Sequence, residues 1–272
     1  MHCLALSQLE LLAAALVKGA SMELYLTPKP GLVDLADCGS HPDLSICTME
    51  RSIQYVSDYL DEMVSSLAAG EAFVHQRHIG VRAEQRLLEQ LGTNTHKGFI
   101  FLSGMLLIAR WHAASADEYA IRQALSALAV EFFKNVAEQS TNGRQARRKY
   151  QAGGIVVESI RGFPSIFEEG LPVFRQAMKQ HDCFRAASFA MLARLMQTVE
   201  DTTTLHRAGS QGLSRVKRDG HQLEQIVAEG DDYIAFLKEL NRTYIRMNIT
   251  TGGIADMLGI AYGCLLASGE IS

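Results

Sequence analysis

The chain has 272 residues, 47% hydrophobic and 21% charged, long enough to bury a substantial core and ordinary for a soluble globular protein. Its 26 basic and 30 acidic residues leave a formal net charge of −4, which excludes a general nucleic-acid binder, whose footprint is a basic excess. The 5 cysteines (Cys3, Cys38, Cys47, Cys183, Cys264) are scattered and form no CxxC pair, as expected of a reduced, cytoplasmic chain.

Leu9, Leu12, Ala13, Leu16, Ala20 and Leu24 recur at helical spacing, which predicts a first helix over residues 5–26. No basic segment precedes the apolar run from Leu4 to Val17 and Glu10 interrupts it, so a signal peptide is not expected. The helix ends at Thr27-Pro28-Lys29-Pro30-Gly31-Leu32-Val33-Asp34, followed by Gly39-Ser40-His41-Pro42-Asp43. Proline fixes φ and removes a donor, so this stretch is a stiff loop around one ammonium. It reads equally as a site for an anionic ligand or as a rigid connector whose lysine points to water.

Further helices are predicted over 48–68, 81–91, about 95–112 and 117–140, the last with Ile121, Leu125, Leu128, Phe132 and Val136 aligned. Gly92 breaks the third, and Thr93-Asn94-Thr95 supplies N-cap chemistry for the fourth. Residues 141–164 carry Gly143, Gly153, Gly154, Gly162 and Pro164 and read as a loop with one short helix; their cluster Arg144, Arg147, Arg148 and Lys149 reads as a solvated face able to hold a phosphate. Helices follow over 165–180, 184–199, 214–228, 231–247 and 251–267. In the last, Ala255, Gly259, Gly263 and Ala267 leave one face without bulk, so another helix can approach closely; its apolar stretch Met257 to Ala267 is too short to span a bilayer. Nothing alternates as a strand. The expectation is an all-α fold, one multi-helical globular domain over residues 1–272 with roughly nine to eleven helices.

Four further motifs carry chemistry-bearing residues. Gly92-Thr93-Asn94-Thr95-His96-Lys97-Gly98 places cations in the first turn of a helix, where they oppose the macrodipole and suit a phosphate. Asp201-Thr202-Thr203-Thr204-Leu205-His206-Arg207-Ala208-Gly209 concentrates an acid, hydroxyls, a histidine and an arginine, although Asp201 also suits a helix cap. Asn248 through Asp256 opens the last helix, where an acid suits the dipole for structural reasons alone. Glu158 precedes Arg161-Gly162-Phe163-Pro164. Cys38, His41 and Cys47 match no standard zinc spacing.

Taken together, Glu23, the run Pro28 to Asp34, Gly39, His41, Asp43, Asn94-Thr95-His96-Lys97-Gly98, Glu158, Gly162-Phe163-Pro164, Asp201-Thr202, Arg207, Gly252-Gly253 and Ala255-Asp256 resemble the triphosphoribosyl-dephospho-CoA synthase family. These enzymes prepare the prosthetic group of citrate lyase and malonate decarboxylase carrier proteins. The chain departs from the family pattern at Val156-Val157, Thr203, Ala208 and Ile254.

The resemblance implies transfer of the triphosphoribosyl group of ATP to 3′-dephospho-CoA with release of adenine, the product passing to a carrier-protein holo-transferase. It implies Lys29, Asn94, His96, Lys97 and Arg207 for the ATP phosphates, Asp34, Asp201 and Asp256 for Mg2+, and Glu23, Glu158 and His41 for catalysis, with His41 or His96 protonating adenine. Neither nucleic acid nor membrane is an expected partner, and a homodimer stays open. Two other readings remain: a Mg2+-dependent hydrolase of a nucleotide or ADP-ribosyl bond, and a non-catalytic nucleotide-binding paralogue.

Overall fold

In the computed structural model, residues 2–113, 115, 117–134 and 142–272 are described; Val136 and the predicted helical stretch 135–140 lie outside them. The described residues form twelve α-helices and one π-helical turn joined by loops, and contain no strand. In order they are α1 (His2–Tyr25), α2 (Ile46–Ala68), α3 (Phe73–Leu91), α4 (Lys97–His112), α5 (Glu118–Lys134), α6 (Asn142–Tyr150), α7 (Gly154–Ile160), the π-turn (Ser165–Gly170), α8 (Leu171–His181), α9 (Phe184–Thr198), α10 (Thr202–Glu229), α11 (Tyr233–Met247) and α12 (Gly252–Ala267).

The all-α expectation holds, and the excess over nine to eleven helices has local causes. Residues 141–164 yield two helices where one was expected. α6 is polar nearly all round, with Ala146 as its buried residue, so it lacks the apolar stripe that periodicity detects. α3 begins eight residues before the predicted 81, because the buried stripe Gln76, Ile79, Ala83 and Leu87 starts with a polar residue and runs past Gly80. α10 begins at Thr202 and not near 214: Asp201 caps it by accepting from Thr203 N–H at 2.8 Å and Thr204 N–H at 2.9 Å. Gly209 (φ 67°, ψ −169°) then breaks its helical geometry, which only glycine adopts without strain.

α4, α9 and α12 are apolar on almost every side and form the centre, as such helices must. α1 packs on α12, α10 and α8 on α9, and α2 on α1. The α1–α12 crossing is made by small residues: a Cβ on Gly19 would overlap the backbone of Gly259 and Gly263, and one on Gly263 would lie 3.0 Å from Leu16 Cα. The expected close approach on the Ala255-Gly259-Gly263 face is therefore to α1. It brings the last turn of α1, which holds Glu23, against the first turns of α12, which hold Asp256.

Candidate active site

The 26–45 loop, the end of α1, the approach to α4 and the start of α12 border an open cleft, whose unfilled space is about 560 Å³ with the adjoining solvent included. Glu23, His41, Thr95, His96, Gly252 and Asp256 line its polar side, and Phe99, Leu44 and Met49 its apolar side. A concave, mostly apolar pocket with a few convergent polar groups is the usual form of a small-molecule site.

The loop is fixed by residues two hundred positions away. Gly31 N–H donates to Asn241 Oδ1 at 2.9 Å, and Ser40 Oγ donates to Ile249 O at 2.6 Å. Arg207 Nη2 donates to Ser40 O at 2.6 Å and to Asn248 Oδ1, strapping the loop to α10 and to the turn before α12. Arg207 thus stands behind the cleft, and its Nη1 approaches His41 Nδ1 at 3.4 Å. A guanidinium only donates, so Nδ1 accepts and Nε2–H faces Thr250 Oγ1 at 2.6 Å. Burial and then the Arg207 charge push the His41 imidazole below its usual pKa, with Asp43 pulling back. A neutral imidazole with its proton engaged is not the adenine-protonating acid expected.

His96 is 4% exposed, with Nδ1 2.5 Å from Ser52 Oγ, which also meets Thr95 Oγ1. Burial, assisted by the Lys29 charge, pushes its pKa down to about 4, so it too is a neutral group near pH 7. Asn94 precedes it with Oδ1 buried and without a protein partner. Lys97 points away from the cleft, its side chain half exposed and paired with Glu84 at 2.6 Å.

Lys29 does not point to water, which is one of the two readings of the Pro-Lys-Pro loop. It is 1% exposed, and Nζ donates to Glu23 Oε1 at 2.7 Å, to Leu24 O at 3.2 Å and to Glu23 O. An ammonium has three N–H groups, so none remains for a phosphate. The prolines hold this lysine under the cleft floor, where it fixes Glu23. Burial pushes the Glu23 carboxyl above its usual range, and the Lys29 charge and hydrogen bond offset only part of that rise.

The three aspartates expected to share Mg2+ are not brought together. Asp34 accepts from Lys29 N–H at 2.6 Å and Ala36 N–H at 2.7 Å and serves the loop. Asp201 is 1% exposed and caps two helices at once, accepting from Thr203 and Thr204 of α10 and from Ile254 N–H of α12 at 2.9 Å. Asp256 alone reaches the cleft. Among the described residues no group of three or more His, Cys, Asp or Glu side chains is placed to hold a metal. The described residues therefore offer no protein site of three or more such ligands for a magnesium ion.

From α12, the Asp256 carboxyl lies against the start of α4, where Phe99 N–H stabilises its anion. A Cβ on Gly98 would overlap Asp256 Oδ2, so the glycine of His-Lys-Gly makes room for this carboxyl. Burial, then the charges of Glu23 and Asp201, push Asp256 well above the usual carboxylate range, favouring the protonated acid. Glu158, by contrast, does not line the cleft: on α7 it accepts from Ser165 Oγ and, at 3.4 Å, from Ser165 N–H, bracing the turn at Pro164. Ser52 carries no signal in the sequence, whereas Gly98 and Thr250 fall inside motifs that the sequence marks without showing what either does. Ser52 lies on a predicted helical face with no motif around it, so nothing local marks it.

A family model described as ATP:dephospho-CoA triphosphoribosyl transferase matches residues 9–270. The chain is 30% identical over 259 residues to a probable 2-(5″-triphosphoribosyl)-3′-dephosphocoenzyme-A synthase of Salmonella gallinarum, covering 88% of this chain and 85% of that protein. It is 31% identical to a protein of the same name from Pseudomonas putida, covering 91% of each, and 30% identical to the synthase of Pectobacterium atrosepticum, covering 89% and 84%. No solved structure matches significantly.

Proposed function

The chain belongs to the ATP:dephospho-CoA triphosphoribosyl transferase family and is thus a transferase, and from this premise we propose that it moves the 5-triphosphoribosyl group of ATP onto 3′-dephospho-CoA and releases adenine. The observation that carries the reading is the pair Glu23 and Asp256 facing one cleft, with their environments set apart by Lys29 on one side only. Burial raises both carboxyls, but the Lys29 ammonium offsets the rise at Glu23 while the charges of Glu23 and Asp201 add to it at Asp256, and a pair graded in this way can supply a base and an acid at one pH.

The bond from adenine to ribose C1′ breaks, and the acceptor hydroxyl oxygen bonds to that carbon. Asp256, held protonated by burial and by its acidic neighbours, donates to adenine as it leaves. Glu23 faces the cationic, oxocarbenium-like sugar and takes the acceptor hydroxyl proton; Lys29 holds that carboxylate in place. Neutral His41 and His96 orient polar atoms without carrying charge. Magnesium enters as the counter-ion of ATP, part of the substrate and not a resident metal. The product then serves a carrier-protein holo-transferase, for citrate lyase or malonate decarboxylase, in the cytoplasm. Among the described residues no helix is long and apolar enough to cross a membrane.

The test is incubation of the chain with ATP, Mg2+ and 3′-dephospho-CoA, followed by mass spectrometry. Free adenine with the conjugate supports the reading. Free ribose triphosphate would identify a hydrolase, and ATP binding without adenine release a non-catalytic paralogue.

A further inference from the structure

Outside the cleft, the chain holds a second concavity with a different chemistry. α6 carries Arg144, Arg147, Arg148 and Lys149 and no acid. Its three arginines face the start of α7 across an open groove of about 530 Å³, whose other wall is Val156 and Val157. Arg147 is partly buried there, and both that burial and the nearby Arg144 charge disfavour its cationic form. Among the described residues Glu200 stands at the rim, where its Oε2 accepts from Gly153 N–H at 2.6 Å. Arg147 and Arg148 therefore stand next to each other beside an apolar wall, an arrangement that suits a polyanion. Guanidiniums match phosphate oxygens in geometry as well as charge.

The groove adjoins the cleft. A Cβ on Gly154, where α7 starts, would meet Thr202 Cγ2 at 2.6 Å and Arg147 Cδ at 3.2 Å, and one on Gly143 would lie 3.3 Å from Thr202 Oγ1. A Cβ on Gly252, in the cleft wall, would lie 3.5 Å from Thr203 Oγ1. Two consecutive residues at the head of α10 thus separate the arginine groove from the acidic cleft. The cleft itself has no free lysine: Lys29 is committed to Glu23 and Lys97 is turned outward.

The geometry points to a condensed-phosphate subsite: the Arg147–Arg148 groove binds the phosphate chain of a substrate whose sugar reacts in the cleft. This rests on the reaction proposed above, in which the donor carries a triphosphate and the acceptor a diphosphate; either chain has the chemistry the groove recognises.

The test uses the full chain and Arg147→Gln/Arg148→Gln, with unfolding curves to establish that the variant is folded and Arg148→Lys to retain the charge. Binding of inorganic pyrophosphate and tripolyphosphate is measured by calorimetry at low and at moderate salt. The expected result is salt-sensitive binding to the unaltered chain, weakened at least about tenfold in the double variant and partly kept in Arg148→Lys. No binding to the unaltered chain, or equal binding to both, overturns the subsite. Steady-state kinetics then separate the sources: about a tenfold rise in KM for ATP assigns the triphosphate, and the same rise for dephospho-CoA assigns the diphosphate. Both KM values unchanged overturns the proposal. Because the inorganic probes require no turnover, a chain that makes no conjugate but loses pyrophosphate binding in the variant would refute the reaction and leave the subsite standing.

Discussion

Lys29 Nζ and Glu23 Oε1 meet at 2.7 Å beneath the cleft floor, with 1% of the lysine side chain and 8% of the glutamate side chain exposed. The pair joins the end of α1 to the Pro-Lys-Pro loop and fixes the carboxyl that faces the substrate. Breaking such a pair from one side leaves a buried charge without a partner, which costs about 3 to 5 kcal/mol. Lys29→Met is therefore expected to lower the stability to urea by about that amount, as well as turnover. A variant with native stability and only a raised KM for ATP would return Lys29 to the phosphate role that its motif implies.

Asp256→Asn and Glu23→Gln each remove one ionisable group while keeping shape. Loss of a positioned acid or base typically costs about 10²–10⁴ in rate, and a fall of that order in adenine release is expected for each. Glu158→Gln, at a residue that braces a turn away from the cleft, is expected to leave turnover within about threefold, since the change touches no cleft residue. The adenine assay on the three variants checks the assignment, and equal losses in all three would defeat it.

Two glycines give opposite expectations. A Cβ on Gly98 overlaps the Asp256 carboxyl, so Gly98→Ala is expected to displace that acid, with a loss of about 1 to 3 kcal/mol and of most activity. Gly80 lies inside α3, and a Cβ there would have no neighbouring atom within 4 Å, so Gly80→Ala is expected to stabilise by about 0.4 to 1 kcal/mol with activity intact. Thermal melts and the adenine assay read both.

His96 gives the fold a pH dependence with a definite sign. Its pKa is pushed from 6.5 down to about 4 in the folded chain. Between those values the unfolded chain binds the proton and the folded chain does not, so acid favours unfolding. The contribution is present above pH 6.5 and is lost as pH falls toward 4, by up to about 3 kcal/mol. Urea unfolding at a series of pH values should show this slope, flattened in His96→Gln. An unchanged slope in that variant would place the acid sensitivity elsewhere.

The cleft is partly legible in the residues. Glu23, His41, His96 and Asp256 all stand out in the sequence, because each sits in or beside a stretch whose glycines, prolines or cap residues depart from plain helical periodicity. The motifs do not distinguish the residues that face a substrate from those that hold the scaffold. Asp201 and Asp34 look as chemical as Asp256, yet both are engaged by backbone N–H groups. The difference is one of direction, and a carboxyl's direction depends on amides supplied by other elements: α12 amides for Asp201, loop amides for Asp34.

The apolar periodicity by itself determined that the chain is helical, and the small residues of α12 determined that another helix lies against it, since both follow from the spacing of side chains along one helix. Only the tertiary structure decided that this partner is α1, that Lys29 turns inward and Lys97 outward, and that Glu23 and Asp256 share a cleft from opposite ends of the sequence. A side chain's charge and reach are written in its residue type; its partner and its exposure are set by packing between segments that the linear order keeps apart.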